Sequence, residues 1–285
     1  MPISADACAD LLPVPELPEV ETIARGLAKR VTGDVIESVW LGSKPEPLKS
    51  PAAEIEATLV SKKIADVRRS GKHIVVDLAS PINKPALASA QWIVHLGMTG
   101  RLLVCSPDAE LDKHTHAVLR LASGRELRFV DPRRFGRLAV IEKFAPPGSE
   151  PLSISLADFV GLFRGRKTPI KSALLNQKLL SGVGNIYADE ALYRAKLRPR
   201  RRAASLSAEE LRLLHKGLKQ VLQEAIRLGG SSISDYVDSE GQEGFFQLKH
   251  RVYGREGEPC RKCRAPIKRV VIAGRSSHYC PTCQK

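Results

Sequence analysis

Between Ala145 and Leu152 the chain reads Pro-Pro-Gly-Ser-Glu-Pro, a stretch that neither a helix nor a strand can cross. The hydrophobic period differs on its two sides. Before it, residues 73–78, 91–96, 101–105, 117–121, 126–130 and 137–141 are short β-rich runs, two of them joined by a Ser123-Gly124 hairpin turn. After it, residues 185–197 and 207–228 carry helical spacing. The second of these opens on a Ser207/Glu210 capping box and stops at Gly229-Gly230. Strands followed by helices predict an α+β multidomain chain, with an N-terminal antiparallel β-sandwich and flanking helices before the break.

The charge is unevenly placed. Lys and Arg outnumber Asp and Glu by 45 to 31, a net charge of +14, which suits a polyanionic partner better than a small neutral metabolite. Residues 246–285 hold ten bases against two acids, whereas residues 1–24 hold five acids and no base. Acids isolated on a basic protein are candidates for chemistry. No run approaches membrane-spanning length and residues 1–14 lack a secretory pattern, so no membrane partner is expected. Six cysteines in 285 residues are too few for a disulfide scaffold and fit a reducing cytoplasm.

Four of those cysteines form Cys260-x-x-Cys263 and, sixteen residues on, Cys280-x-x-Cys283, the spacing of one structural four-thiolate zinc site. Gly182-Val-Gly184-Asn185 precedes a helix whose first backbone amides could grip a phosphate, although a plain helix–helix turn has the same pattern. Arg194, Lys196, Arg198, Arg200, Arg201 and Arg202 follow that helix and read as a backbone clamp. His95-Leu-Gly-Met98-Thr-Gly and Asp131-Pro-Arg133-Arg-Phe135-Gly read as loops at strand ends, where Met98 is equally a core residue and Arg133 a turn arginine. Lys113-His114-Thr-His116 is too sparse for a metal site. Residues 238–246 read as a loop able to act as a lid.

The remaining motif is Pro15-Glu16-Leu-Pro-Glu-Val-Glu, at the mouth of a helix that runs to about Gly33. A proline with a free amine is a secondary amine able to attack an aldehyde-like carbon, and the adjacent carboxylate can move protons. As numbered, Pro15 follows Val14, so its nitrogen is an amide without nucleophilic character.

Taken in order, these motifs resemble those of bacterial formamidopyrimidine-DNA glycosylases over residues 15–285, more than those of the related endonuclease VIII branch. The resemblance implies a helix–two-turn–helix domain and a zinc finger after the sandwich. It places residues 1–14 as an extension, 15–145 as the catalytic sandwich, 146–155 as a hinge, 156–250 as the helix–two-turn–helix domain and 251–285 as the finger. The implied activity is excision of 8-oxoguanine and formamidopyrimidines from double-stranded DNA, by a cytoplasmic, nucleoid-associated monomer, through an iminium at Pro15 and β,δ-elimination. Glu16 would be the general acid and base, Lys72 a proton donor in β-elimination, and Arg275 the δ-elimination and phosphate residue. Met98, Arg133 and Phe135 would fill the space of the extruded nucleotide, while His114, Arg166, Lys171 and Asn185 contact DNA. Two alternatives stay open: a silent zinc-dependent DNA-binding protein, if Pro15 remains acylated, and an endonuclease VIII-like enzyme for oxidised pyrimidines.

Overall fold

The computed structural model describes residues 14–80, 90–231 and 244–285. Residues 1–13 of the expected extension, and residues 238–243 of the expected lid, lie outside the described residues. The chain divides into two compact units. One contains Pro18–Ala145 with Ser231 and Gly244; the other contains the described residues through Leu17, Pro146–Gly230 and Phe245–Lys285.

The first unit is built on two four-stranded antiparallel sheets. Strands β1 (Ile36–Leu41), β6 (Thr115–Leu121), β7 (Glu126–Val130) and β5 (Arg101–Cys105) form one in that order, and β2 (Lys63–Ser70), β3 (His73–Ala79), β4 (Ala90–His95) and β8 (Arg137–Ile141) form the other. Alternation along each strand turns Ile64, Val67, Ile74, Val76, Trp92 and Val94 from one sheet, and Ile36, Val104, Leu119 and Leu127 from the other, into a single buried cluster. Helix α1 (Leu17–Val31) adds Val20, Ile23, Ala24, Leu27 and Val31 from one face. It ends where Gly33, at φ +92°, donates its N–H to the carbonyl of Ile64. A second, short helix flanks the sandwich that no sequence signal singles out: α2 (Ala52–Leu59) follows Pro51 and buries Ile55 and Leu59. Eight residues with two apolar contacts give too weak a period to stand out in the sequence.

The second unit is helical. α3 (Leu156–Phe163), α4 (Ile170–Leu175), α5 (Asn185–Arg194) and α6 (Ala208–Arg227) surround one apolar cluster that includes Leu17, Phe159, Leu174, Tyr187, Leu214 and Leu218. Both halves of the Ser207/Glu210 capping box form at the start of α6. α5 is buried on nearly every side, through Ile186, Tyr187, Ala188, Ala191 and Leu192, and its acids Asp189 and Glu190 are buried with them and need internal partners. The chain closes on a two-stranded hairpin, β9 (Lys268–Ile272) and β10 (Arg275–Tyr279), turned through Ala273 and Gly274 at φ +48° and +73°.

Candidate functional site

In the helical unit, Pro15 and Glu16 are buried. Glu16 lies against the first turn of α5, where its Oε1 accepts the Ile186 N–H at 3.0 Å and its Oε2 the Tyr187 N–H at 3.5 Å. The cap of α5 is Gly184, which has no side chain to satisfy these amides; a carboxylate from a distant segment does so, in the field of the helix N-terminus. A β-carbon at Gly184 would fall 2.2 Å from Glu16 Cδ, so glycine is required for the carboxylate to enter. The Leu17 N–H donates to the Gly182 carbonyl at 3.1 Å and fixes the backbone beside it. Two amides expected to be available to a phosphate therefore hold Glu16 instead. The Asn185 side chain remains half-buried, donating from Nδ2 to Ser276 Oγ at 3.3 Å, with no hydrogen-bond partner for its Oδ1 among the described residues.

The resemblance puts Lys171 at a DNA phosphate, and the structure does not. Lys171 is 0% exposed: Nζ is 2.7 Å from Asp189 Oδ1 and donates to the Ser276 carbonyl at 2.6 Å. Burial lowers its pKa, and the neighbouring Asp189 and Glu16 carboxylates oppose that shift. Asp189 also accepts the His278 N–H at 2.8 Å. Asp189, to which no sequence motif gives a role, thus joins α4 and α5 to β10, the strand whose first residue is the exposed Arg275. The sequence carries no signal for it, because α5 reads as mixed polar and apolar and only the fold buries it on nearly every side. Glu190 likewise accepts the backbone N–H groups of Arg251, Val252 and Tyr253, the entry to the metal-binding tail.

The expected basic clamp is reduced by internal bonds. Arg194 pairs with Glu224, Arg201 with Glu210, and Arg198 donates to the carbonyls of Gln284 and Pro281. Those three guanidiniums brace the unit, while Lys196, Arg200 and Arg166 are exposed and Arg202 is too. Arg166 Nε donates to the Leu162 carbonyl at 2.5 Å, at the start of the turn after α3.

The sulfurs of Cys260, Cys263, Cys280 and Cys283 lie within 4.8 Å of one another, with Cys263–Cys280 at 3.4 Å and Cys260–Cys283 at 4.0 Å. Tetrahedral thiolates about 2.3 Å from a zinc ion would be separated by roughly 3.8 Å. The four residues fit the ion. Knuckle amides of Lys262 and Cys283 point at the sulfurs of Cys260 and Cys280, each at 3.4 Å. The apolar cluster here has only Val252, Cys260, Ile267 and Cys280 fully buried, too little to fold this tail without metal.

In the β unit, Lys72 is half-buried in the tight turn between β2 and β3, beside Gly71 at φ +60°. Met98 is half-buried after β4, and Arg133 and Phe135 are exposed after β7, Phe135 by 50%. The Arg133 guanidinium lies 4.6 Å from the centre of the Phe135 ring. His114 is half-buried at the start of β6. His116 is no metal ligand: its Nε2 bonds the Asp131 carbonyl at 2.9 Å. His95 accepts the Gly97 N–H on Nδ1 at 3.1 Å, and its pKa is pushed down to about 4 by burial and then by nearby His73, Lys72 and Arg137.

An acid presented beside a buried proline, apolar and arginine side chains on strand-end loops, and a four-thiolate tail coincide with one family. The model of the formamidopyrimidine-DNA glycosylase N-terminal domain matches residues 14–138, that of its H2TH domain residues 147–237, and that of a zinc finger found in FPG and IleRS residues 257–285. The chain belongs to the formamidopyrimidine-DNA glycosylase family. The formamidopyrimidine-DNA glycosylase of Solibacter usitatus is 45% identical over 282 residues, covering 95% of this chain and all of that one. The crystal structure of the Thermus thermophilus MutM (Fpg) protein superposes with a TM-score of 0.82 at 42% identity, over 95% of this chain and 98% of the other. A Lactococcus lactis Fpg mutant bound to DNA containing Fapy-dG gives 0.85 at 33% identity, over 95% and 100%. The family fixes the class, a DNA-repair glycosylase with a zinc finger.

Proposed function

We propose that this protein is a bifunctional glycosylase and lyase that removes oxidised purines, 8-oxoguanine and formamidopyrimidines, from duplex DNA as a cytoplasmic monomer. The observation that carries the reading is the Glu16 carboxylate, held on the first amides of α5 beside Pro15, with Gly184 cut back to admit it. The working form begins at Pro15. In support, the family match starts at residue 14, and 95% of this chain covers the whole of the Solibacter relative.

The amine of Pro15 donates its lone pair to the sugar C1′ and the bond to the damaged base breaks, the base leaving as its anion and taking up the proton that the ring nitrogen of Pro15 gives up. Glu16 delivers a proton to the ring oxygen as the ring opens, leaving an iminium with no N–H to lose. That cation makes the C2′ proton acidic. Its removal expels the 3′ phosphate, with Lys72 as proton donor, and Arg275 assists loss of the 5′ phosphate. A terminal amine has a pKa of about 7.7 to 8.0, against about 10.4 for lysine, and is more often neutral at pH 7. Met98, Arg133 and Phe135 unstack and replace the extruded nucleotide, and His114, Arg166 and Asn185 hold phosphates. Lys171 acts by orienting the residues around Ser276 rather than by touching DNA. Relatives bound to DNA carrying Fapy-dG or carbocyclic 8-oxo-G support the purine assignment. A complex of the Lactococcus lactis Fpg with DNA containing an oxidised pyrimidine keeps that class of lesion as a second reading.

Three forms test this: the 285-residue chain, a form beginning at Pro15, and that form with Pro15→Gly. Borohydride traps a covalent DNA complex efficiently with the second, poorly with the third, and not with an unprocessed first. Equal trapping by the intact long form would remove Pro15 as nucleophile and leave the zinc-dependent DNA-binding reading without its premise. A lesion panel on the second form separates purine from pyrimidine preference.

A further inference from the structure

The two loops that carry the proposed wedge are short, and their outward side chains have little packing of their own. They are joined underneath by a buried anion. Asp131 is 0% exposed, and no cation pairs with it among the described residues. Its Oδ1 accepts the Thr99 hydroxyl at 2.5 Å and the Arg133 N–H at 3.2 Å, and its Oδ2 accepts the Gly136 N–H at 2.7 Å. Its backbone N–H donates to the His114 carbonyl at 3.0 Å, and its own carbonyl accepts from His116. The loops also meet backbone to backbone. A β-carbon at Gly97 would lie 2.5 Å from the carbonyl carbon of Phe135, and one at Gly136 would lie 3.0 Å from the carbonyl oxygen of His95, where the Met98 loop leaves β4.

We propose that Asp131 and Thr99 are positioning residues that lock the Met98 loop to the Arg133–Phe135 loop, so that the three side chains enter the base stack as one rigid wedge. The inference rests on the wedge reading above. A buried carboxylate without a counter-ion is costly wherever its oxygens lack donors. Moving Met98 independently of Phe135 would pull Thr99 from Oδ1, leaving part of the charge unsatisfied. Insertion is therefore concerted, and the work of unstacking falls on both loops together. Asp131 and Thr99 themselves have no need to touch DNA.

Thr99→Val is the sharp variant, because it cuts the tie between loops while Asp131 still holds the Arg133 and Gly136 amides. The readout is the rate at which the full 285-residue chain unstacks 2-aminopurine placed beside 8-oxoguanine, in a stably paired and in a mismatched duplex. This measures extrusion and does not depend on the state of Pro15. Thr99→Val should slow the paired duplex by roughly tenfold, the scale of one charge-assisted hydrogen bond, and the mismatched duplex by much less. Thr99→Ser should restore the rate. Met98→Ala and Phe135→Ala should be non-additive with Thr99 present and additive in the Thr99→Val background. Met98→Ala and Phe135→Ala without a paired-duplex defect would overturn the wedge reading and the coupling with it. Defects in those two with a normal Thr99→Val rate, or an equal loss on both duplexes, would overturn the coupling alone.

Discussion

Asp131 in the β unit and Lys171 in the helical unit are both charged, both completely buried, and solvated in opposite ways. Asp131 has no ion partner among the described residues and is held by a hydroxyl and two peptide N–H groups. Lys171 is held by a full opposite charge on Asp189 and by one carbonyl. Peptide and hydroxyl donors come from several loop positions at once, so the first arrangement binds loops to each other. An ion pair satisfies itself, so the second braces two elements and tolerates neither partner alone. The difference suits the neighbours: exposed side chains on loops need a shared base, whereas the hairpin bearing Arg275 needs a strut.

The strongest way to test the dependence of the helical unit on its internal struts is to remove its metal. Chelation, or Cys260→Ser or Cys283→Ser, should unfold the 257–285 tail, since metal binding of this kind contributes on the order of 10 kcal/mol to folding. DNA affinity should be lost while the β unit stays folded. Both tryptophans, Trp40 and Trp92, lie in the β unit, so their fluorescence transition reports that unit alone. Metal analysis should find one zinc per chain. Full affinity in a metal-free preparation would refute this.

The ion pair comes next. Lys171→Ala leaves Asp189 buried and unpaired, and should destabilise the helical unit by about 3–5 kcal/mol, read as faster hydrogen exchange in α4 and α5. Lys171→Met with Asp189→Asn should recover most of that loss, because the amide oxygen can still accept from His278. If the single variant is as stable as the parent, the strut is not what holds these elements.

This contrast marks what was legible in the sequence. Features set by local covalent chemistry were readable: the capping box at Ser207, the cysteine spacing, and the alternation that forms the sandwich core. Features set by which side of an element faces inward were not. Lys171 sits in a basic sequence neighbourhood, and nothing adjacent to it says that Asp189, eighteen positions on, will meet it in the interior. The Gly184-Asn185 turn had the right appearance for a phosphate site, but the occupant of its amides came from Glu16, more than the length of a domain away along the chain. Long-range polar partners have no period to betray them.

A smaller effect concerns acid. His95 has its pKa lowered from 6.5 to about 4, so below pH 6.5 the unfolded chain takes up the proton and the folded one does not. Its contribution is therefore intact above pH 6.5, declines as pH falls, and levels off below about 4. At about pH 5 the β unit should have lost about 2 kcal/mol, visible as a lowered urea midpoint by tryptophan fluorescence. His95→Asn, which keeps an acceptor for Gly97, should reduce that acid sensitivity, the part that remains coming from His73 beside it, whose pKa burial also lowers. Persistence of the full pH dependence in this variant would assign it elsewhere.

The smallest effect separates exposed from buried cations directly. DNA affinity falls with salt in proportion to the number of phosphates neutralised, and each lost contact lowers the slope of log affinity against log salt by about one. Arg166 is exposed, so Arg166→Ala should flatten the slope by about that amount, with the order of preferred lesions unchanged. Lys171 has no exposed surface, and its ammonium releases no counterion when DNA binds. Under conditions where the variant stays folded, Lys171→Ala should weaken binding at every salt concentration without changing the slope. A flattened slope for Lys171→Ala would mean that the Asp189 pair opens on DNA and that the lysine reaches a phosphate after all, dissolving the distinction between the two buried charges.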